Sequence, residues 1–157
     1  MKKIAIGIAC VVAAFLLGGM LVDLFKSDED QIRSVVSRMV TGFNDAAPKR
    51  AVGGLAKDFR DPATGFNREQ IQEAIRFLVL RNQGKLPWSC QIADDLIDVS
   101  VDGDTATARF GLRFLEKRGD ARESVWTLSI DAELRRNDEG WVVVKANRQT
   151  TEGNRPF

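Results

Sequence analysis

Three charged residues interrupt apolar faces of the predicted secondary structure, and each could carry chemistry. Asp94 keeps the apolar parity of a strand that begins at Trp88. Its carboxylate would be desolvated there, which raises a pKa and suits a general base. Arg148 follows apolar residues of the last predicted strand, so it would point inward at the open end of the domain and meet an anionic group there. Arg81 continues the apolar stripe of a helix and could close the same open end.

Each of these charged residues also has a purely structural interpretation. Asp94 and Asp95 would then form the exposed corner of a β-bulge. Arg148 would be a solvated side chain at a fraying strand end. Arg81 would run along the surface and hold its charge in water. Asp94 is therefore a candidate only, and we assign no catalytic residue.

A set of large apolar residues on the predicted inner faces could line a ligand cavity. Its members are Met39, Phe110, Leu112, Trp126 and Leu128. With Arg81 and Arg148 they make up the predicted ligand-binding residues, and the ligand they suit is small and apolar. The alternative is that these side chains are simply the core of the domain.

The residue types that are missing restrict the chemistry. The sequence has no His and no Tyr, so the commonest general base, the commonest zinc ligand and a phenol donor are all excluded. Cys10 lies in an apolar N-terminal run, which leaves Cys90 alone and excludes a disulfide within the domain. We expect no metal and no cofactor. A net charge of +1 offers no field for nucleic acid, so that partner is not expected either.

Periodicity divides the domain into helices followed by strands. A stripe of apolar residues at three- and four-residue spacing predicts a first helix, and Ser27 and Asp30 are its predicted capping pair. The stripe consists of Ile32, Val35, Val36, Met39, Val40 and Phe43. A weaker helix is predicted over residues 48–59. The next begins at the cap Asn67, and its apolar face is Ile71, Ala74, Ile75 and Leu78.

From Pro87 onward the apolar period is two, which predicts an antiparallel meander. The predicted strands cover residues 88–101, 105–117, 123–136 and 140–150. The first strand changes parity, which predicts a bulge within residues 93–97 and a sharp bend. One sheet face is apolar and must be covered by the helices, so the fold class is α+β. Trp141 and Val143 have the opposite parity from Val142 and predict either an exposed patch or hairpin packing.

Residues 1–26 are interpreted as an N-terminal membrane anchor, and residues 27–157 as the domain. Residues 4–22 are uncharged and would span roughly 28 Å as a helix, which matches the hydrocarbon core of a bilayer. Lysines precede this run and acidic residues follow it, so the positive-inside rule predicts a single-pass protein of the inner membrane with a periplasmic domain. A cleaved signal peptide and a lipoprotein signal are the alternatives.

The predicted helices come first, followed by a strongly curved antiparallel sheet whose last strand begins Gly140-Trp141-Val142-Val143-Val144. This order of elements resembles the nuclear transport factor 2-like superfamily, also described as SnoaL-like or cystatin-like. The resemblance implies an α+β cone over residues 28–151, here behind one transmembrane helix. The superfamily holds ketosteroid isomerases, polyketide cyclases, limonene epoxide hydrolase and many binding proteins, so it implies a fold rather than an activity. In plan the chain is also similar to membrane-anchored subunits of type IV secretion machines and of mycobacterial lipid importers.

The resemblance transfers no catalytic residue, because the tyrosine and histidine that the isomerase and cyclase sites use are absent. We expect a membrane-anchored, extracytoplasmic binding or protein-interaction module without catalysis. Its sheet face would be buried in a homodimer or a membrane protein complex. The alternative is an isomerase-, cyclase- or hydrolase-like enzyme acting on an apolar substrate in the cone pocket.

Overall fold

The computed structural model describes residues 27–118 and 121–156, and in this part of the chain three helices precede a four-stranded antiparallel sheet. The helices are α1 (Asp28–Asn44), α2 (Pro48–Ala51) and α3 (Arg68–Arg81). The strands are β1 (Trp88–Asp102), β2 (Thr105–Arg118), β3 (Ala121–Asn137) and β4 (Gly140–Gly153). They pair in the order β1-β2-β3-β4. The α+β fold class and the four predicted strands are confirmed.

Helix α1 forms where the capping pair and the apolar stripe predict it. The Ser27 hydroxyl accepts a hydrogen bond from the Asp30 amide at 3.2 Å, which satisfies a donor that the first turn leaves free. Ile32 is fully buried and anchors the stripe. At the other end, the Asn44 side chain both donates to and accepts from the backbone of Cys90, each at 2.7 Å. These two bonds fix the end of α1 to β1.

The predicted helix over residues 48–59 is wrong in length. Helix α2 ends at Ala51, and the next residues pair with β4 instead of continuing the helix. The Ala56 amide donates to the Val143 carbonyl at 2.9 Å, and the Val143 amide donates to the Gly54 carbonyl at 2.8 Å. Gly53 and Gly54 follow Val52, and each glycine disfavours a helix by about 1 kcal/mol relative to alanine. The chain therefore leaves the helix after Val52 and forms these hydrogen bonds with β4.

Helix α3 begins with the predicted cap. The Asn67 side chain accepts from the Gln70 amide at 2.9 Å, and the Gln70 side chain accepts from the Asn67 amide at 3.0 Å. None of the residues of α3 is fully buried. Phe77 and Leu80 are 64% and 69% exposed, so α3 lies over the rest of the domain without being embedded in it.

The bulge in β1 confirms the predicted change of parity. Ile92 pairs with Leu112, whereas Ile97 pairs with Phe110, so four residues of β1 are accommodated where β2 has one. Asp94 and Asp95 lie at this bulge with positive φ angles of 55° and 52°. Both are exposed to solvent. Asp94 therefore lies at an exposed corner and does not occupy the desolvated position that a general base requires.

A second bulge reverses parity within β4. Leu134 pairs with Val143, but Glu133 pairs with Lys145, so Val144 is the extra residue. Trp141 and Val143 precede the bulge and are both 4% exposed. The exposed patch that their parity allowed is therefore absent, and hairpin packing is the correct interpretation.

The core lies between α1 and the inner face of the sheet. Phe114 stacks on Trp126 with ring centroids 5.1 Å apart and meets Phe43 edge-on at 5.7 Å. Every residue of the described core, including the partly buried residues packed on it, lies within residues 32–146. The domain from residue 27 onward thus has the hydrophobic core that an independently folding unit needs. The predicted anchor, residues 1–26, lies outside the described residues. Among the helices described, none is both long and apolar enough to cross a membrane.

The outer face of the sheet is polar. An ion pair joins Arg109 to Asp131 at 2.7 Å, and another joins Lys145 to Glu133 at 2.9 Å. Thr107 is also exposed on this face. Exposed pairs of this kind add only about 0–1 kcal/mol each, so they keep the face solvated rather than hold the fold together.

The start of α1 contacts the β3–β4 hairpin through Asp28. A hydrogen bond from the Trp141 indole at 3.2 Å and the guanidinium of Arg136 hold the pKa of Asp28 below its ordinary value of 3.8. A lowered pKa in the folded state means that the carboxylate stabilises the fold above this ordinary value. That stabilisation is lost as the pH falls through the pKa of the folded state.

We therefore predict that Asp28→Asn lowers the melting temperature at neutral pH. This difference should shrink as the pH falls below about 3.8 and should vanish once the pH is below the lowered pKa of the folded wild-type carboxylate. Thermal unfolding of wild type and variant at several pH values measures the difference. A difference of equal size at about pH 3 and pH 7 would contradict this role for Asp28.

Candidate functional site

The candidate site is a cleft of about 430 Å³ between α3, the end of α1, the loop of residues 61–66 and the end of β4. Its walls are mainly apolar, and the apolar lining consists of Phe43, Phe66, Ile71, Ala74, Ile75, Phe77 and Leu78. The polar lining consists of Asp61, Thr64, Arg148 and Arg155. A cleft of this size and character is typical of small-molecule sites.

The loop of residues 61–66 forms one wall and is fixed by its own hydrogen bonds. The Asp61 amide donates to the Phe66 carbonyl at 2.8 Å, and the Gly65 amide donates to the Asp61 carbonyl at 2.7 Å. Gly65 has a φ of 73°, a conformation that a side chain would strain. Pro62 and Gly65 are typical turn residues, and the turn they form holds the Asp61 side chain in a buried position.

Asp61 carries the buried charge of the site. Its side chain is 6% exposed, and Arg148 pairs with it through Nη1 at 3.1 Å. The carboxylate also accepts from the Ala63 amide at 3.2 Å and from the Thr64 hydroxyl. Of the described polar and charged residues, Asp61 is the one classed as buried. A buried carboxylate needs such partners, because leaving it unpaired costs several kcal/mol.

Arg148 reaches the cleft because of the bulge at Val144. Beyond this bulge, Arg148 pairs with the buried Ile130 of β3, as Ala146 pairs with the buried Ala132. Paired residues of an antiparallel sheet share a face, so Arg148 lies on the inner side. Its side chain is 34% exposed, which leaves the guanidinium between the buried Asp61 and the open cleft.

Comparison with known proteins identifies the family. The family model described as SnoaL-like domain matches residues 26–147. The chain belongs to the SnoaL-like domain family. A search of curated proteins found none that matches.

Several solved structures resemble this SnoaL-like domain. An NTF2-like protein with a cystatin-like fold from Novosphingobium aromaticivorans is 21% identical, with a TM-score of 0.67 over 88% of this chain and 90% of that chain. An NTF2-like protein of unknown function from Pseudomonas putida is 18% identical, with a TM-score of 0.61 over 77% and 84%. A protein from Catenulispora acidiphila, solved in complex with S-DNPA, is 13% identical, with a TM-score of 0.59 over 78% and 92%. At these identities, the likeness shows the fold alone.

The structure brings one of the predicted ligand-binding residues of the SnoaL-like domain to the cleft, namely Arg148. Arg81 is exposed and does not line it. The other predicted residues pack within or against the core: Trp126 and Leu128 are buried, and Met39, Phe110 and Leu112 are partly buried. The physical reason is that Phe114 and Trp126 stack in the core where these residues lie, whereas the cleft lies beside α3.

Asp61 and the inner face of α3 are the cleft residues that the sequence did not single out. Ile71 and Ile75 pack against the core, as the predicted apolar face requires, and together with Ala74 and Leu78 they also line the cleft. Asp61 is followed by Pro62 and Gly65, and this pattern indicates a turn but not a buried carboxylate. The available signal was Thr64 three residues after Asp61, since an aspartate followed at this spacing by a hydroxyl often forms local side-chain hydrogen bonds.

Cys90 is the one cysteine of the described residues, and it lies outside the cleft lining. Burial raises the pKa of the Cys90 thiol to about 12, so the thiol stays protonated at neutral pH and is a poor nucleophile. Within residues 27–118 and 121–156, no three acidic, cysteine or histidine side chains are grouped to hold a metal ion. What the arrangement of the cleft supports is binding, through apolar walls with Arg148 and Arg155 at their edge.

Proposed function

We propose that this SnoaL-like domain is a non-catalytic binding module that holds a small apolar ligand in the cleft. The observation that carries the proposal is a cleft with apolar walls whose single carboxylate, that of Asp61, already has partners for both oxygens. Apolar walls stabilise a ligand by about 25 cal/mol for each Å² of apolar surface removed from water.

The pairing of Asp61 argues against catalysis. A general base must accept a proton from the substrate, so it needs an oxygen within hydrogen-bond reach of the reacting group. Instead, Oδ1 of Asp61 accepts a hydrogen bond from the Ala63 amide. Its Oδ2 accepts a hydrogen bond from the Thr64 hydroxyl and forms the ion pair with Arg148. The chain also has no His and no Tyr to take over the task.

Filling the cleft should weaken the binding of a neutral apolar dye. Ala74 lines the cleft, and Ala74→Phe would insert a ring where the ligand lies. We expect this variant of the domain (residues 27–157) to bind N-phenylnaphthylamine about five- to hundredfold more weakly, because overpacking costs about 1–3 kcal/mol. Fluorescence titration measures the affinity.

The matched control is Glu73→Phe, which adds the same ring to an exposed position of α3 outside the cleft lining. It should bind the dye as the wild type does. Equal dye affinity in Ala74→Phe and wild type would mean that the dye binds elsewhere, and the proposal would then fail.

The second candidate is an isomerase-, cyclase- or hydrolase-like enzyme acting on an apolar substrate in the same cleft. The observation that favours it is the buried carboxylate of Asp61 at the cleft wall. Asp61→Asn separates the two functions: an enzyme would lose turnover of its substrate in this variant, whereas a binding module would keep its dye affinity within a few-fold.

We also propose that residues 4–22 anchor the domain in the inner membrane with the cleft on the periplasmic side. The support is the uncharged run of residues 4–22, the lysines before it and the acidic residues after it. Helix α1 starts at Asp28 and is roughly 25 Å long. Because Phe43, near its far end, lines the cleft, ligand would enter well away from the start of α1.

Protease protection tests this topology. Added protease should digest the domain in spheroplasts without lysis, and an alkaline wash should leave the full-length chain in the membrane fraction. A chain that protease reaches only after lysis would contradict the orientation, and release by the alkaline wash would contradict the anchor.

The partner surface that we propose is the outer face of the sheet, for a second copy or a membrane protein complex. Support comes from exposed threonine and from the ion pairs Arg109–Asp131 and Lys145–Glu133, which suit a polar, non-obligate contact. Crosslinking in intact cells should recover a defined complex, and a lone monomer would count against this surface.

A further inference from the structure

The charges that line the cleft do not balance. Asp61 contributes one negative charge, while Arg148 and Arg155 contribute two positive charges, so the lining has a formal charge of +1. Asp61 is fully engaged by its loop and by Arg148.

Arg148 retains hydrogen-bonding capacity toward the cleft. Its contact with Asp61 uses Nη1, and the described residues give its Nε and Nη2 no partner. A guanidinium carries five N–H donors in a planar fork that matches a carboxylate or sulfonate. With a third of the side chain exposed at the cleft, these donors can reach an anionic ligand group without breaking the pair with Asp61.

We infer that the ligand of the cleft is a small amphipathic anion, with an apolar body along α3 and a carboxylate or sulfonate on Arg148. The inference rests on the proposed binding function and specifies its ligand class. Hydrogen bonds to a charged group in a partly dehydrated cleft are stronger than neutral ones, so the anionic group would add both affinity and orientation.

Asp61 has a positioning role in this account. Its carboxylate is held by the loop of residues 61–66 and fixes the guanidinium of Arg148 at the cleft wall. A fixed arginine loses less conformational entropy when a ligand binds than a free one. Arg148 is then a ligand-binding residue, and Asp61 acts through it.

Two dyes with one skeleton test the inference on the domain of residues 27–157. N-phenylnaphthylamine is neutral, and anilinonaphthalene sulfonate adds a sulfonate to the same rings. Arg148→Gln should lower the affinity for the sulfonate dye by about tenfold or more and change the affinity for the neutral dye by less than about twofold. Arg50→Gln, which removes an exposed arginine that pairs with Asp45 outside the cleft lining, is the matched control and should change neither affinity.

The outcomes separate the inference from the proposed function. Equal losses for both dyes in Arg148→Gln, or no loss for either, would overturn the anionic ligand class while leaving an apolar binding site. Failure of the wild type to bind either dye would overturn the proposed function itself. If Arg148→Gln does not fold, the double variant Asp61→Asn/Arg148→Gln, which leaves no buried charge unpaired, decides by the same ratio of affinities.

Discussion

Replacing Trp126 with alanine is expected to lower the free energy of unfolding by about 3–5 kcal/mol, the range for truncating a large aromatic residue in a core. Trp126 is 7% exposed, stacks on Phe114 and donates its indole N–H to the Thr150 hydroxyl at 3.1 Å. The variant leaves a cavity between the sheet and α1 that neighbouring side chains cannot fill. Urea denaturation of the domain measures the change.

Trp126→Phe is the control, because it keeps most of the ring area and loses mainly the hydrogen bond to Thr150, worth about 1 kcal/mol. A loss below about 1 kcal/mol for the alanine variant would mean that Trp126 borders open space, as the ligand-cavity interpretation of the sequence had it. The same variant should retain dye binding wherever it is folded, since Trp126 does not line the cleft.

Replacing Arg148 with glutamine is expected to lower the free energy of unfolding by about 2–3 kcal/mol, because it leaves the Asp61 carboxylate buried without its counter-ion. Removing one partner of a fully buried pair costs about 3–5 kcal/mol. The expected loss of stability is smaller here because the Arg148 side chain is 34% exposed and water screens the ion pair. Denaturant unfolding of the variant domain measures the loss.

The double variant Asp61→Asn/Arg148→Gln tests the reason for this loss. It removes both charges, so it should be more stable than Arg148→Gln alone, and the coupling between the two sites should be at least about 1 kcal/mol. Additive losses from the two single variants would show that the pair contributes nothing to stability and that Asp61 does not hold Arg148 in place.

The sheet could be predicted from the sequence because its signal is local. In β2 and β3, apolar and polar residues alternate without a break along most of each strand, as at Ala106 and Ala108 or Trp126 and Leu128. The bulge in β1 was also visible, since Ile92 and Ile97 have opposite parities. In each case, neighbouring residues carry the information.

The site could not be predicted in the same way because long-range contacts assemble it. Asp61 and Arg148 are far apart in sequence, and nothing near either one indicates the other. The apolar residues that precede Arg148 predict its inward position, but they do not predict the bulge at Val144 that produces it by changing the side of the sheet that the following residues face. A continuous run of valines conceals this bulge. Which aromatic residues fill the cone, and which leave space, is likewise decided by packing.

Chemical-shift mapping by NMR on the domain of residues 27–157 tests the central claim most directly, namely that the cleft under α3 is the binding site. On titration with the sulfonate dye, the perturbed backbone amides should cluster in residues 61–66, residues 71–78 and around Arg148. Perturbations confined to the outer face of the sheet, around Arg109 and Asp131, would contradict it.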